Sequence, residues 1–225
     1  MIALLLAIAV QSPPNAARLV EASWKSPKVI ARIDTRHANW KEQIGDAVSA
    51  GADAVLVPVA IGPDGLIRTS PTADASTPTL VEFANVTRTL VPIVLLIGGS
   101  AGIERPLVMD LLETATLRAS IVVARGADRL IEMRRRSRSQ VTAYFPPVLG
   151  PNNFQPAFLE AERARAGGMA VAAESIDQRI ADEARRLKWP LYAWDVQATD
   201  AKRLKGLKVN FLVTDDARGT LAELR

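Results

Sequence analysis

From Lys28 onward, short runs of apolar residues alternate with stretches in which apolar positions recur every three or four residues. The runs fall at 29–33, 54–59, 92–97, 120–124, 141–144, 169–172, 190–194 and 210–214. Several are apolar almost without a break, AVLVPV, PIVLLI and SIVVA among them. A strand with one face in water alternates, whereas one buried on both faces does not. These runs therefore predict parallel strands covered by helices. The stretches between them carry helix starts. Asn39 precedes a helix with Glu42 in its first turn and Ile44 and Val48 along one face. Thr79 with Glu82, and Ser175 with Gln178, have the spacing of capping boxes. Leu80, Phe83 and Val86 follow the first of these, and Ile176, Ile180 and Leu187 share a face after the second. Pro106 opens a helix bearing Leu107, Leu111 and Ala115, and Thr199 caps a short one ending near Gly206. Strict alternation of eight strands with about eight helices predicts an α/β fold, a (β/α)8 barrel. The competing arrangement is an open doubly wound sheet. Neither GxGxxG nor GxxxxGK[ST] follows the first strand, which leaves a nucleotide-binding sheet without support.

Residues 1–10, MIALLLAIAV, form an unbroken apolar run closed by Gln11, Ser12, Pro13 and Pro14. The run is too short to cross a bilayer, which takes about 20 residues. It has the length of a signal-peptide core, and Ala7 and Ala9 place small residues where cleavage occurs. No Lys or Arg precedes Arg18, so the alternative is a first strand or helix of the fold. The expectation carried forward is export to a secreted or periplasmic location. Residues 1–21 are then a signal peptide or N-terminal apolar segment, and 22–225 a single barrel.

Composition narrows the chemistry. The chain has 225 residues, 48 % of them hydrophobic, enough apolar area to offset chain entropy. Cysteine is absent, which excludes disulfides, thiolate-held metals and a thiol nucleophile. His37 is the one histidine, which excludes any mechanism needing a pair. A metal would have to rest on carboxylates, the ligands of hard cations. The net charge of +4 is a mild excess. It suits an anionic ligand or an anionic membrane surface without calling for nucleic acid. Six arginines lie within 125–138 against Asp128 and Glu132, with RRRSR at 134–138. They read either as the solvated end of a helix, where the dipole favours cations, or as a contact for anionic lipid headgroups. No aromatics interleave with them, so nothing supports stacking on single-stranded nucleic acid.

Read in order, the segments resemble one family, the glycerophosphodiester phosphodiesterases, TIM barrels of the phospholipase-C-like phosphodiesterase type. Lys28 to Ala31 sit where that family has its first strand. GADAV at 51–55 matches its entry into the second strand, and Asp64 with Gly65 match the turn after it. TPTLVE at 77–82 resembles its P-T-L-x-E helix start. LYAWDVQ at 191–197 is similar to its V-x-x-W-T-V-N strand, and FLVTD at 211–215 to its closing G-[IV]-x-T-D. The resemblance spans nearly all of 28–225. It implies hydrolysis of a glycerophosphodiester by two histidines acting as general acid and base, with carboxylates holding calcium or magnesium beside the phosphate.

The chain departs from the family at those positions. The family's H-R pair falls on Arg32 and Ile33, and its E-L-D metal motif on Leu56, Val57 and Pro58. Its H-D pair falls near Thr69 and Ser70, and its E-x-K on Leu96, Ile97 and Gly98. Leu56, Pro58 and Leu96 are expected to face the barrel mouth together, where they supply no oxygen to a cation. The expected protein is thus a relative without the calcium or magnesium site, catalytically inactive, that binds a phosphate-bearing small molecule or a protein partner. The alternatives are a divergent phosphodiester hydrolase with relocated groups, and a structural scaffold. No residue is assigned to catalysis; a relocated site would draw on Asp34, His37, Glu174 and Asp195. The expected ligand contacts are Arg32, Arg125, Trp194 and the GGSAG loop at 98–102, with Gly98, Gly99 and Ser100 opening toward a helix N-terminus. Arg32 and Arg125 could equally pair Asp34, Asp195 or Asp215, and Trp194 could equally be core.

Overall fold

A computed structural model of the protein describes residues 14–72, 74–98, 102–147, 149 and 154–225. The described residues open with helix α1 (Ala16–Ser23), strand β1 (Lys28–Arg32) and helix α2 (Trp40–Ala50). Strands β2 (Ala54–Ile61) and β3 (Ile67–Arg68) form a hairpin before α3 (Leu80–Thr87). Strict alternation follows: β4 (Ile93–Ile97), α4 (Glu104–Glu113), β5 (Ser120–Ala124), α5 (Ala127–Arg136), β6 (Val141–Tyr144) and α6 (Phe154–Arg163). The chain ends with β7 (Met169–Ala172), α7 (Gln178–Arg186), β8 (Leu191–Trp194), α8 (Ala201–Gly206), β9 (Phe211–Thr214) and α9 (Ala217–Leu224).

All the barrel strands are parallel, in the order β1-β9-β8-β7-β6-β5-β4-β2, and β1 pairs with β2 to close the ring. This is the expected (β/α)8 barrel. Only the short β3, antiparallel to β2, stands outside the ring. Its turn is the Asp64–Gly65 pair: Asp64 Oδ1 accepts the Leu66 N–H, and Gly65 takes φ of +79°.

Two apolar clusters follow from the strand period of two. The inner one fills the barrel with Ile30, Leu56, Val94, Val123, Tyr192 and Phe211 among others. The outer one holds the alternate strand residues and the helix faces, including Trp40 stacked on Phe83 at 5.6 Å. Most residues on both faces of the barrel strands are buried, which is why the runs are largely apolar. Gly167 and Gly168 permit the β6–β7 join. A Cβ on Gly167 would lie 2.9 Å from the Thr142 carbonyl oxygen, and one on Gly168 2.8 Å from that of Pro190.

Helix α1 closes the end of the barrel where the strands begin. Ala16, Leu19 and Val20 pack on the inner cluster, and Asn210, just before β9, donates to the Ser23 carbonyl. Residues 16–21 are thus within the packed barrel, although the sequence reading sets them aside with the apolar run. Residues 1–13 lie outside the described residues.

Helix starts depart from expectation by a residue or two. The Thr79–Glu82 capping box forms in full. Asp177, rather than Ser175, caps α7 by accepting the Ile180 N–H, and Ser175 lies in a short 3-10 turn. Pro106 is the third residue of α4, within the first turn, where no backbone donor is needed. Ala115 falls beyond α4 at φ of +58°. A 3-10 turn over Ala198–Asp200 takes the place of a Thr199 cap.

Candidate functional site

Parallel strands bring all their C-terminal ends to one rim, so the groups after each strand converge there. Arg32 ends β1 and points inward. One guanidinium nitrogen is hydrogen-bonded to Asp195 Oδ1, after β8, and the other lies 3.5 Å from Asp215 Oδ2, after β9. Asp195 takes φ of +56°, a left-handed conformation that Asp tolerates better than most side chains. Asp215 is 75 % exposed and holds Arg32 by the longer contact.

Beside Arg32 lies a cleft of about 470 Å³, lined by Asp34, Thr35, Pro58, Thr69, Ser70 and Asp215 among others. Thr69 and Ser70, near which the resemblance expects an H-D pair, therefore lie on the same cleft as Arg32, where it expects the first residue of an H-R pair. Thr35 and Gln43 belong to no motif of the sequence. Thr35 Oγ1 donates to the Thr69 carbonyl, tying the β1 loop to the segment after the hairpin. Gln43 on α2 accepts the Asp34 N–H at 3.0 Å and donates to the Asp34 carbonyl at 3.2 Å. Local sequence carries no signal for either contact, since each forms only when a distant element packs.

Asp34 and His37 are brought together, with His37 Nε2 3.4 Å from Asp34 Oδ2. Both Asp34 oxygens are already held by Arg36, at 2.8 Å from Nε and 2.7 Å from Nη2. That charge-assisted fork brings the Asp34 carboxyl down to about 2, against the opposing effect of partial burial. His37 is 69 % exposed and does not line the cleft. Glu174, in the turn after β7, is exposed and makes no ion pair among the described residues.

On the other side of the mouth, Trp194 ends β8 facing inward. It is buried against Phe145, with ring centroids 4.9 Å apart. Arg125 lies over the other ring of this contact, its guanidinium carbon 4.9 Å from the Phe145 centroid. Trp194 and Phe145 thus plug this part of the mouth, and Arg125 stands exposed above them. Gly98 follows β4; Gly99, Ser100 and Ala101 lie outside the described residues.

Leu56, Pro58 and Leu96, where the resemblance expects metal carboxylates, offer no oxygen to a dication. Leu56 is fully buried in the inner cluster, Leu96 packs against it, and Pro58 pairs in register with Leu96. Among the described residues, no group of three His, Asp or Glu side chains is close enough to hold a metal ion.

No protein-family model matches the chain. No curated protein matches it either. Solved structures do match. A glycerophosphodiester phosphodiesterase from Parabacteroides distasonis aligns with TM-score 0.73 and 14 % identity, over 88 % of this chain and 97 % of that one. An Oleispira antarctica phosphodiesterase, in complex with the product sn-glycerol-3-phosphate, aligns with TM-score 0.71 and 13 % identity, over 89 % and 98 %. The enzyme from Thermotoga maritima aligns with TM-score 0.64 and 16 % identity, over 88 % and 98 %. The chain has the TIM-barrel fold of these glycerophosphodiester phosphodiesterases.

Proposed function

We propose that this barrel is a relative of the glycerophosphodiester phosphodiesterases that has lost their hydrolytic site and binds a phosphate-bearing small molecule beside Arg32. One observation carries the reading. At the strand ends where the family resemblance expects histidines and metal carboxylates, the chain presents one inward arginine above an apolar floor of Leu56, Pro58 and Leu96. A guanidinium matches phosphate geometry. The exposed Asp215 can swing into water and leave Arg32 to a ligand anion. Thr35, Thr69 and Ser70 form the cleft wall, their hydroxyls already engaged with the Thr69 carbonyl, the Pro78 carbonyl and Thr72 Oγ1. Arg125 stands as a second cation at the mouth.

The competing reading is a hydrolase with relocated groups, favoured by the Asp34–His37 contact. Against it, a carboxyl near 2 is a poor base at neutral pH. The apolar run at 1–10 is proposed to direct export, and cleavage after Ala9 would leave α1 in place to close the barrel.

Calorimetry with sn-glycerol 3-phosphate in EDTA tests the main reading, alongside hydrolysis of glycerophosphocholine with calcium, with magnesium and with EDTA. Binding lost in Arg32→Met, without turnover in any condition, is expected. Turnover that Arg32→Met retains and His37→Ala loses would replace this reading with the hydrolase. Neither binding nor turnover would leave a structural scaffold.

A further inference from the structure

The end of the barrel opposite Arg32, where the strands begin, carries a separate concentration of charge. Five helices end there in the same hydrogen-bonded motif, with a left-handed residue just past the helix. After α6, Arg165 N–H bonds the Glu162 carbonyl and Ala166 N–H that of Ala161. After α7, Lys188 and Trp189 repeat the pattern onto Arg185 and Ala184. After α8, Lys208 and Val209 repeat it onto Lys205 and Leu204. The left-handed residues are Gly51, Ala115, Arg165, Lys188 and Lys208, with φ of +98°, +58°, +54°, +56° and +60°.

Glycine is the residue this position favours, because a Cβ is strained there. The helix dipole rewards a cation, but any position in the last turn collects that reward without the strain. Three neighbouring loops nonetheless place a cation at the strained position. All three side chains are exposed and make no ion pair among the described residues.

The next loop around the rim continues the pattern. A cleft of about 660 Å³ between the ends of α5 and α6 is lined by Arg134, Arg135, Arg138, Arg163 and Arg165. Glu132, the nearest acid on α5, is taken by Arg136 at 2.7 Å and Arg135 at 3.4 Å. Arg134, Arg138 and Arg163 make no ion pair among the described residues. Cations thus line the loops entering β6, β7, β8 and β9, all at the end of the barrel where the strands begin. Trp24, at the end of α1 on this same face, is 44 % exposed. Trp189, beside Lys188, is stacked on Phe158 with ring centroids 6.1 Å apart, so it is not free to take a base.

We propose that this end of the barrel docks on a bilayer surface carrying anionic phospholipid. The cations meet headgroup phosphates, and Trp24 sits at headgroup level. Residues 137–140, 164–168, 187–190 and 207–210, which enter these four strands, hold cations and no acid, although Glu162 is exposed on the last turn of α6 beside them. A broad basic face of this kind matches an array of phosphates better than the narrow track of a strand or a duplex. Docked this way, the mouth faces the aqueous phase, so a ligand reaching Arg32 is water-soluble. The proposal does not rest on the function proposed for the mouth.

The left-handed positions allow a test that unfolding does not confound. Arg165→Gly, Lys188→Gly and Lys208→Gly together relieve strain, so the melting temperature is expected to hold or rise. Sedimentation with vesicles of phosphatidylcholine, with and without about 30 % phosphatidylglycerol, reads the binding. The parent is expected to bind the anionic vesicles, weaken as NaCl rises from about 0.1 to about 0.5 M, and ignore the neutral ones. The triple variant is expected to bind at least roughly tenfold more weakly, since each cation contributes about fivefold. The residues 1–10 are common to parent and variant and cancel from the comparison. A second variant, Arg134→Gln with Arg138→Gln, is expected to lose affinity likewise. Equal binding by parent and both variants, equal binding to neutral vesicles, or tighter binding to a DNA duplex than to anionic vesicles would each overturn the proposal.

Discussion

Arg32 is divided between two carboxylates, bonded to Asp195 by one guanidinium nitrogen and 3.5 Å from Asp215 by the other. Both acids are largely exposed, so they compete with a ligand anion while adding little to stability. Asp195→Asn and Asp215→Asn are each expected to change stability by less than about 1 kcal/mol. Each should tighten binding of sn-glycerol 3-phosphate by about fivefold, corresponding to ~1 kcal/mol. Calorimetric titration of the two variants checks this; weaker binding in both would mean that the acids contact the ligand themselves.

Asp110, on α4, is pushed up to about 6, first by burial and then by the neighbouring Glu113. Its folded value lies above the ordinary 3.8, so folding favours the protonated form. That contribution is complete below about pH 4 and fades as the pH rises through about 6. Asp110→Asn cannot ionise. It should match the parent near pH 4 and exceed it by about 1 kcal/mol near pH 8, the shift being discounted for partial exposure. Urea unfolding at the two pH values measures this, and an equal gap at both would remove Asp110 as the cause.

Tyr192 lies wholly inside the barrel, stacked on Phe211 with centroids 4.3 Å apart. Its hydroxyl has no hydrogen-bond partner among the described residues. Burial pushes its pKa up, as expected for a phenol that cannot reach water. An orphaned buried hydroxyl costs about 1–3 kcal/mol, and Phe fills the same space. Tyr192→Phe is therefore expected to stabilise by about 1 kcal/mol in chemical denaturation. A loss of stability would show that the hydroxyl is satisfied by enclosed solvent.

Glu104, buried at the start of α4, accepts from Arg129 Nη1 of α5 at 2.7 Å. This pair links two successive crossover helices. Arg129→Met leaves the carboxylate buried without its partner and is expected to cost about 2 kcal/mol. Glu104→Gln with Arg129→Met should recover part of that. A double-mutant cycle with additive losses would show that the two residues act separately.

Sequence alone determined the eight barrel strands and their order along the chain, but not the short β3. A strand buried on both faces must be largely apolar, so the unbroken runs at 54–59 and 92–97 were visible without any contact being known. The Thr79–Glu82 box was legible for a similar reason, because a capping box is satisfied within four consecutive residues. The apolar character of Leu56, Pro58 and Leu96 was also visible, since it holds whatever surrounds them. Tertiary structure decided where exposed charge ends up. Nothing local couples Arg32 to Asp195, 163 residues away, or sets Arg163 and Arg165 beside Arg134 and Arg138. It also decided that Asp177 rather than Ser175 caps α7, and that α1 closes the barrel. Long charged side chains carry no periodic signature, because water satisfies them in almost any position. Their partners are chosen only when distant loops are brought to the same rim by the closure of the barrel.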